Sequence, residues 1–319
     1  MTLRLGVIGV GHLGKHHARI LATLPGVELV AVVDTNRPRA DEIAAAHGTR
    51  AYYDAKDIAG QVDAVTIAVP TELHRDIALP FLTSGVPALV EKPMARSLAE
   101  ADEMIAAASR SGVVFAVGHT ERFNPAVEAA RPLLEDPRFI EVHRLGTFPE
   151  RSLDIDVVFD LMIHDLDVVL SLVPADVASI DAVGVPVLTG RVDIANARLR
   201  FANGCIANVT ASRISRDRVR KIRFFQPMAY LSIDYAAQKI ERWELVKGQG
   251  MFPSIQGGEI DVPNEEPLKR ELADFVDAIV SRRPPIVTGE QGRRALALAQ
   301  QITDKMTTEM QPRHTDSAV

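Results

Sequence analysis

The sequence predicts an α/β chain. A doubly wound parallel sheet comes first, followed by an α+β region built on a mostly antiparallel sheet. Three observations predict this. Short β-rich runs alternate with helical stretches through the first third, the pattern that makes parallel sheets with right-handed crossovers. The first of these runs leads into Gly9, Gly11 and Gly14 at GxGxxG spacing. After Gly118 the alternation stops, and successive strands with a hairpin signal replace it.

The glycine turn organises the first region. Leu5, Val7, Ile8 and Val10 suit a strand buried on both faces of a parallel sheet. Gly9 permits a tight turn, Gly11 lets a pyrophosphate approach the backbone, and Gly14 lets the next helix pack on the strand. His12 and Leu13 begin a helix whose first N–H groups and dipole suit phosphates. A second strand, Val27 to Val33, ends at Asp34 and Thr35. Asp34 lies twenty residues beyond Gly14, where a carboxylate accepts both ribose hydroxyls of an adenosine. That context favours a Rossmann dinucleotide-binding fold over an ordinary βαβ turn with an exposed aspartate. Asp34 repels a 2′-phosphate, so NAD is the expected cofactor. Arg37 and Arg39 weaken that preference without reversing it, and NADP stays open.

Helices are expected in this region from His12 to Thr23, Arg37 to Ala46, Leu73 to Ser84 and Ser97 to Ser109. Further strands are expected at Ala51–Tyr53, Val62–Val69, Ala88–Glu91 and Val113–Val117. Their C-terminal ends bring Gly9, Asp34, the Ala68-Val69-Pro70 loop with His74, Glu91 and Gly118 to one edge, where ligands bind. In the second region a helix from Pro125 to Leu134 and a strand near Phe139–Arg144 precede a long apolar helix, Val157 to Val173. Strands at Ala178–Val187, Asp193–Phe201, Cys205–Ser212, Arg218–Phe225 and Ala229–Tyr235 come next, with Asn203-Gly204 as a hairpin turn. Glu265–Arg282 and Gly289–Thr307 are terminal helices, the last opened by a Thr288/Gln291 capping box, and the tail from Gln311 is expected to fray.

A chain of 319 residues can bury two cores, expected here as domains 1–119 and 120–319. The net charge of -6 excludes nucleic-acid binding as the main business. Cys205, the only cysteine, excludes an internal disulfide and a cysteine-rich zinc site. No leader pattern precedes the first strand and no apolar run is long enough to cross a bilayer, so a cytoplasmic location without membrane contact is expected. No metal-ligand spacing and no serine elbow appears. The second sheet, with helices on one face only, is expected to pair with a second subunit and give a homodimer or homotetramer.

Three segments offer chemistry. On the long helix Asp160, His164, Asp167 and Ser171 are spaced by four, three and four, which puts them on one stripe. Asp160, one turn from His164, could fix its tautomer and raise its basicity, as dehydrogenation of an alcohol requires. A satisfied core histidine or a subunit contact gives the same pattern. Lys92 in Glu91-Lys92-Pro93 could stabilise an alkoxide, or be a surface lysine paired with Glu91. Arg122 and Asn124 could reach nicotinamide or substrate, or Arg122 could join the domains by a salt bridge. Two basic groups stand apart. Arg213, Arg216, Arg218, Arg220, Lys221 and Arg223 could meet a diphosphate, but a solvated sheet edge is the favoured reading. Lys15-His16-His17 reads as surface, near phosphate at most.

Taken together, the glycine turn, Asp34, Ala68-Val69-Pro70-Thr71 with His74, Glu91-Lys92-Pro93, Arg122-Phe123-Asn124-Pro125 and Asp160…His164 resemble the Gfo/Idh/MocA family of NAD(P)-dependent oxidoreductases, over essentially the whole chain. The resemblance implies that Lys92 is the lysine of the family's Glu-Lys-Pro motif. It implies further that His164 is the acid/base residue beside the reacting sugar carbon, with Asp160 positioning substrate or histidine. Within the family, Phe148 to Ser152 leading into Asp160–Asp167 resembles a subgroup found with lipid A biosynthesis, which includes UDP-N-acetylglucosamine 3-dehydrogenases. A nucleotide-sugar substrate is therefore expected. An inositol, polyol or free-sugar dehydrogenase is the first alternative, and a non-catalytic NAD(P)-binding sensor the second.

Overall fold

The computed structural model describes residues 2–148, 155–246 and 253–310. The chain divides into two compact units: the first runs to Phe123 and is joined by Glu265–Leu296, and the second holds Asn124–Asn264 and the chain from Ala297 on. Residues 149–152 of the Phe148–Ser152 stretch and the tail from Gln311 lie outside the described residues.

The first unit runs β1 (Leu3–Ile8), α1 (Gly14–Leu21), β2 (Val27–Val33), α2 (Arg37–His47), β3 (Arg50–Tyr52), β4 (Ala64–Ile67), α3 (His74–Thr83), β5 (Ala88–Glu91), α4 (Leu98–Ser111) and β6 (Phe115–Gly118). Six parallel strands are ordered β3-β2-β1-β4-β5-β6. The near-continuous apolar runs explain the arrangement: Leu5, Val7, Val32, Ala64, Val65, Ile67 and Val90 are all fully buried, as a sheet covered on both faces demands. Local chemistry sets the helix ends. The Asn36 side chain accepts from Arg39 N–H and the Ser97 side chain from Glu100 N–H, while Gly48 and Gly112 close α2 and α4 in the left-handed conformation.

The second unit contains α5 (Pro125–Ala130), β7 (Phe139–Leu145), a π-helical turn (Val158–Met162) continuing into α6 (Ile163–Leu172), and then β8 (Val177–Val185), β9 (Ile194–Phe201), β10 (Ile206–Ser212), β11 (Val219–Gln226), β12 (Ala229–Asp234), β13 (Lys239–Val246) and β14 (Ser254–Ile260). Its eight strands are ordered β14-β13-β12-β11-β7-β10-β9-β8. All pairs are antiparallel except β7 with β10. Alternation decides the two faces: Ile140, Val142, Ala207, Val209, Ile222 and Phe224 point into the core, and their neighbours line a half-buried opposite face. The sequence does not predict β13 and β14. The first alternates charge with apolar residues at the thin end of the sheet, and the second carries Gly257 and Gly258, so neither has the usual strand composition.

The chain then returns. α7 (Pro267–Val280) places Leu272, Phe275 and Val276 in one core cluster with Leu5, Ile20 and Leu29. α8 (Gly289–Met310) opens with the expected box: Thr288 Oγ1 accepts from Gln291 N–H, and Gln291 Oε1 accepts from Thr288 N–H. The expected division at residue 119 with one continuous C-terminal domain is thereby corrected. The apolar face of α7 is buried against α1 and the first sheet, so Glu265–Leu296 belongs with the first unit. Among the described residues, no helix is long and apolar enough to cross a membrane.

Candidate active site

In the first unit the turn after β1 is built by its glycines. Gly9 has φ +82°, and a Cβ there would lie 2.6 Å from the Ala68 carbonyl oxygen. At Gly14 a Cβ would fall 1.7 Å from the Gly9 carbonyl oxygen, so α1 sits against the turn at a distance only glycine allows. Gly11 differs. Its nearest neighbour would be Arg39 Nη1 at 3.8 Å, which leaves room for a ligand to approach the backbone. Leu13 caps α1 without a side-chain hydrogen bond, and no acidic residue occupies its first turn. The positive end of α1 is thus left to an anion. His12 and Leu13 are exposed beside it. A Gly14→Ala variant is therefore expected to lose at least about 10-fold in NADH affinity and about 1–3 kcal/mol of stability to overpacking. Fluorescence titration with NADH and urea denaturation measure the two effects.

Asp34 stands at the end of β2. Its Oδ2 accepts from Val10 N–H at 3.1 Å and its Oδ1 from Asn36 N–H at 2.8 Å, so the carboxylate is aimed at the glycine turn. Arg39 Nη1 lies 3.7 Å from Asp34 Oδ2, whereas Arg37 stacks on the Tyr53 ring with its guanidinium carbon 4.6 Å from the centroid. Of the two arginines, only Arg39 faces the turn. Thr35 is exposed next to Asp34, Ala68 and Val69 are half-buried after β4, and Pro70 is exposed. These residues, with an open Gly11 and an uncapped helix, fit a dinucleotide.

Three residues expected at the cofactor, His74, Glu91 and Arg122, lie buried with partners inside the first unit. His74 is 1 % exposed, and its ring nitrogens face Pro93 O at 3.0 Å and Val69 O at 2.9 Å, so it ties two loops together. Burial pushes its imidazole below the ordinary histidine value. Glu91 turns its carboxylate inward to His17. Arg122 is buried and donates to Ile286 O at 3.3 Å inside the first unit. His17, expected at the surface, is fully buried. Its face on α1, shared with Ala18, Ile20 and Leu21, is the signal that could have placed it. Lys92, after β5, is half-buried.

In the second unit, Asp160 lies in the π turn and His164 in the first turn of α6, both half-buried. The widened turn sits where the sequence predicts regular helix, a feature common at functional sites. The remainder of the polar stripe is structural: Asp167 is 2 % exposed, and Ser171 Oγ donates to Val168 O. Sequence reasoning also misses Asp165. It is fully buried and takes two hydrogen bonds from Arg144, at 2.6 and 3.0 Å. Asn124 caps α5 and donates to Tyr235 O, so it too is structural.

Four members of the basic cluster face groups of the protein itself. Arg213 is buried, paired with Asp193 at 2.8 Å and bonded to Ile155 O. Hydrogen bonds from Leu188, Thr189 and Arg213 outweigh burial and hold the Asp193 carboxyl far below the usual range. Arg218 donates to Thr147, Lys221 lies 3.5 Å from Asp234, and Arg223 pairs with Glu141. Cys205 is buried, and burial pushes its thiol up to about 11.

Comparisons with known proteins identify relatives of the chain. A family model described as an oxidoreductase family with an NAD-binding Rossmann fold matches residues 3–119, and a GFO/IDH/MocA C-terminal domain model matches residues 136–225. The UDP-N-acetylglucosamine 3-dehydrogenase of Acidithiobacillus ferrooxidans is 40% identical over 94% of this chain and 96% of its own. Its solved structure superposes with a TM-score of 0.92 at 38% identity, covering 98% of this chain and 99% of that one. An inositol 2-dehydrogenase of Rhizobium meliloti is 29% identical over 94% of this chain and 95% of its own.

Proposed function

This chain belongs to the GFO/IDH/MocA family of oxidoreductases, and we propose that it oxidises the C3 hydroxyl of UDP-N-acetylglucosamine to the 3-oxo nucleotide sugar. It is an NAD-dependent dehydrogenase of sugar hydroxyls. The observation that carries the substrate is the 40% identity to a UDP-N-acetylglucosamine 3-dehydrogenase across both units, against 29% for an inositol dehydrogenase.

When bound, NAD supplies the hydride acceptor. Gly9, Gly11 and Gly14 receive the pyrophosphate, and Asp34 accepts from the adenosine ribose. The His164 imidazole removes the hydroxyl proton while the carbon gives up its hydride, and Asp160 orients imidazole or substrate. The Lys92 ammonium stabilises the developing alkoxide. The reading includes a cytoplasmic setting in which the ketone is transaminated toward lipid A. It also includes a homodimer or homotetramer formed through the open face of the eight-stranded sheet. An aromatic row supports that pairing. The Phe139 and Phe225 centroids are 5.6 Å apart, those of Phe225 and Tyr230 5.2 Å, and Trp243 stands opposite Tyr230 and is 41% exposed.

The test is NADH formation by purified protein with NAD and UDP-N-acetylglucosamine. A glutamate-dependent aminotransferase is added to remove the ketone, since alcohol oxidation by NAD is uphill. NADH is expected with the nucleotide sugar and absent with myo-inositol or free N-acetylglucosamine. Turnover of inositol instead overturns the substrate, and NADH binding without turnover of any sugar favours a sensor.

A further inference from the structure

We propose that His17 and Glu91 form a buried positioning pair that fixes the backbone carrying Lys92 against the helix that receives the cofactor's pyrophosphate. The proposal rests on the role given to Lys92 above. Glu91 ends β5, whose other residues, Ala88, Leu89 and Val90, are apolar and buried. A carboxylate there is costly unless it is paired. Its Oε1 lies 3.0 Å from His17 Nε2 on α1, and its Oε2 accepts from Lys92 N–H at 3.2 Å. His17 is 0 % and Glu91 5 % exposed.

The site is shaped for this pair. On the neighbouring strand β6, a Cβ at Gly118 would come within 3.0 Å of the Glu91 carboxylate, so glycine leaves the space the carboxylate fills. Burial by itself raises the Glu91 carboxyl. The His17 hydrogen bond and the charges of His17, Lys92 and His74 outweigh it and keep the group below the ordinary glutamate range. His17 Nδ1 has no hydrogen-bond partner among the described residues.

The connection is short. His17 lies less than one helical turn beyond Gly14 on α1, and Glu91 is bonded directly to Lys92. Beyond Lys92, His74 holds the Pro93 carbonyl at 3.0 Å and ties it to the loop after β4. The lysine's backbone is thus held on both sides. A purely structural pair would need only to join α1 to the sheet, which apolar side chains do at no electrostatic cost.

That difference supplies the test. Three variants are compared by kcat, by KM for the sugar, by NADH affinity from fluorescence titration, and by thermal midpoint. The double variant His17→Leu/Glu91→Leu removes both polar groups and fills the space. It is expected to keep its thermal midpoint and NADH affinity while kcat falls about 10–100-fold, the cost of a misplaced catalytic group. Glu91→Gln keeps the hydrogen bond to His17 without the charge and is expected to stay within about 3-fold of wild type in kcat. Lys92→Met controls for the underlying reading. If it retains wild-type kcat, the role of Lys92 fails and the proposal with it. If Lys92→Met is inactive but the folded double variant has wild-type kcat, the pair is structural and the proposal alone is overturned. Should the double variant not fold, Glu91→Gln decides alone, since a loss beyond about 10-fold in kcat at an unchanged thermal midpoint overturns positioning through the hydrogen bond.

Discussion

His164→Ala lowers kcat for sugar oxidation by about 100- to 10,000-fold, the usual contribution of a positioned general base. NADH affinity stays within about 2-fold, because every residue that fits the dinucleotide belongs to the first unit and His164 to the second. The two halves of the result test different things. The fall in kcat assigns proton removal to the imidazole in the first turn of α6, where it is half-buried and so open to exchange with a ligand. The unchanged affinity shows that the first unit remains folded and competent to bind the cofactor. Steady-state kinetics with the nucleotide sugar and fluorescence titration with NADH supply both numbers. Wild-type kcat in the variant would remove His164 from the mechanism and leave Asp160 only the positioning of substrate.

The largest stability effect is expected at Asp165. Its side chain is 1% exposed and that of Arg144 5%, and the two meet through a forked pair of hydrogen bonds at 2.6 and 3.0 Å. The guanidinium also lies 5.2 Å from the Tyr235 ring centroid. Asp165→Ala strands a buried guanidinium and costs about 3–5 kcal/mol. Replacing both partners, as Arg144→Met/Asp165→Leu, costs much less, since no charge is then left without an answer. Urea denaturation of the single and double variants, compared at unchanged slope, checks both statements. Equal losses in the two variants would show that packing rather than charge burial holds α6 to β7.

Legibility in the sequence tracks the range of the forces involved. Gly9, Gly11 and Gly14, the acid at Asp34, the serine cap at Ser97 and the Thr288/Gln291 box all act within a few residues or one βαβ unit, and the structure keeps each where its spacing puts it. The apolar strands of the first sheet are legible for the same reason, because burial on both faces leaves a continuous hydrophobic run. The orientation of Glu91 and His74 is not legible, since polar residues at the ligand edge of a sheet look alike whether they face out or in. Only their neighbours show that both turn inward. The π turn at Val158–Met162 is hidden because its composition is that of the helix it interrupts.

By itself, the sequence determined the element order of the first sheet, the dinucleotide turn, the cofactor preference at Asp34 and the family pattern that runs from Gly9 to His164. Those features rest on backbone conformations and periodicities that neighbouring residues impose. The tertiary structure alone decided which distant groups meet. His17 finds Glu91 across 74 positions and Arg144 finds Asp165 across 21, and α7 returns to the core of the first unit. No local preference selects such partners. Each is chosen when a buried charge must be answered or an apolar face covered, and that demand exists only once the chain has folded.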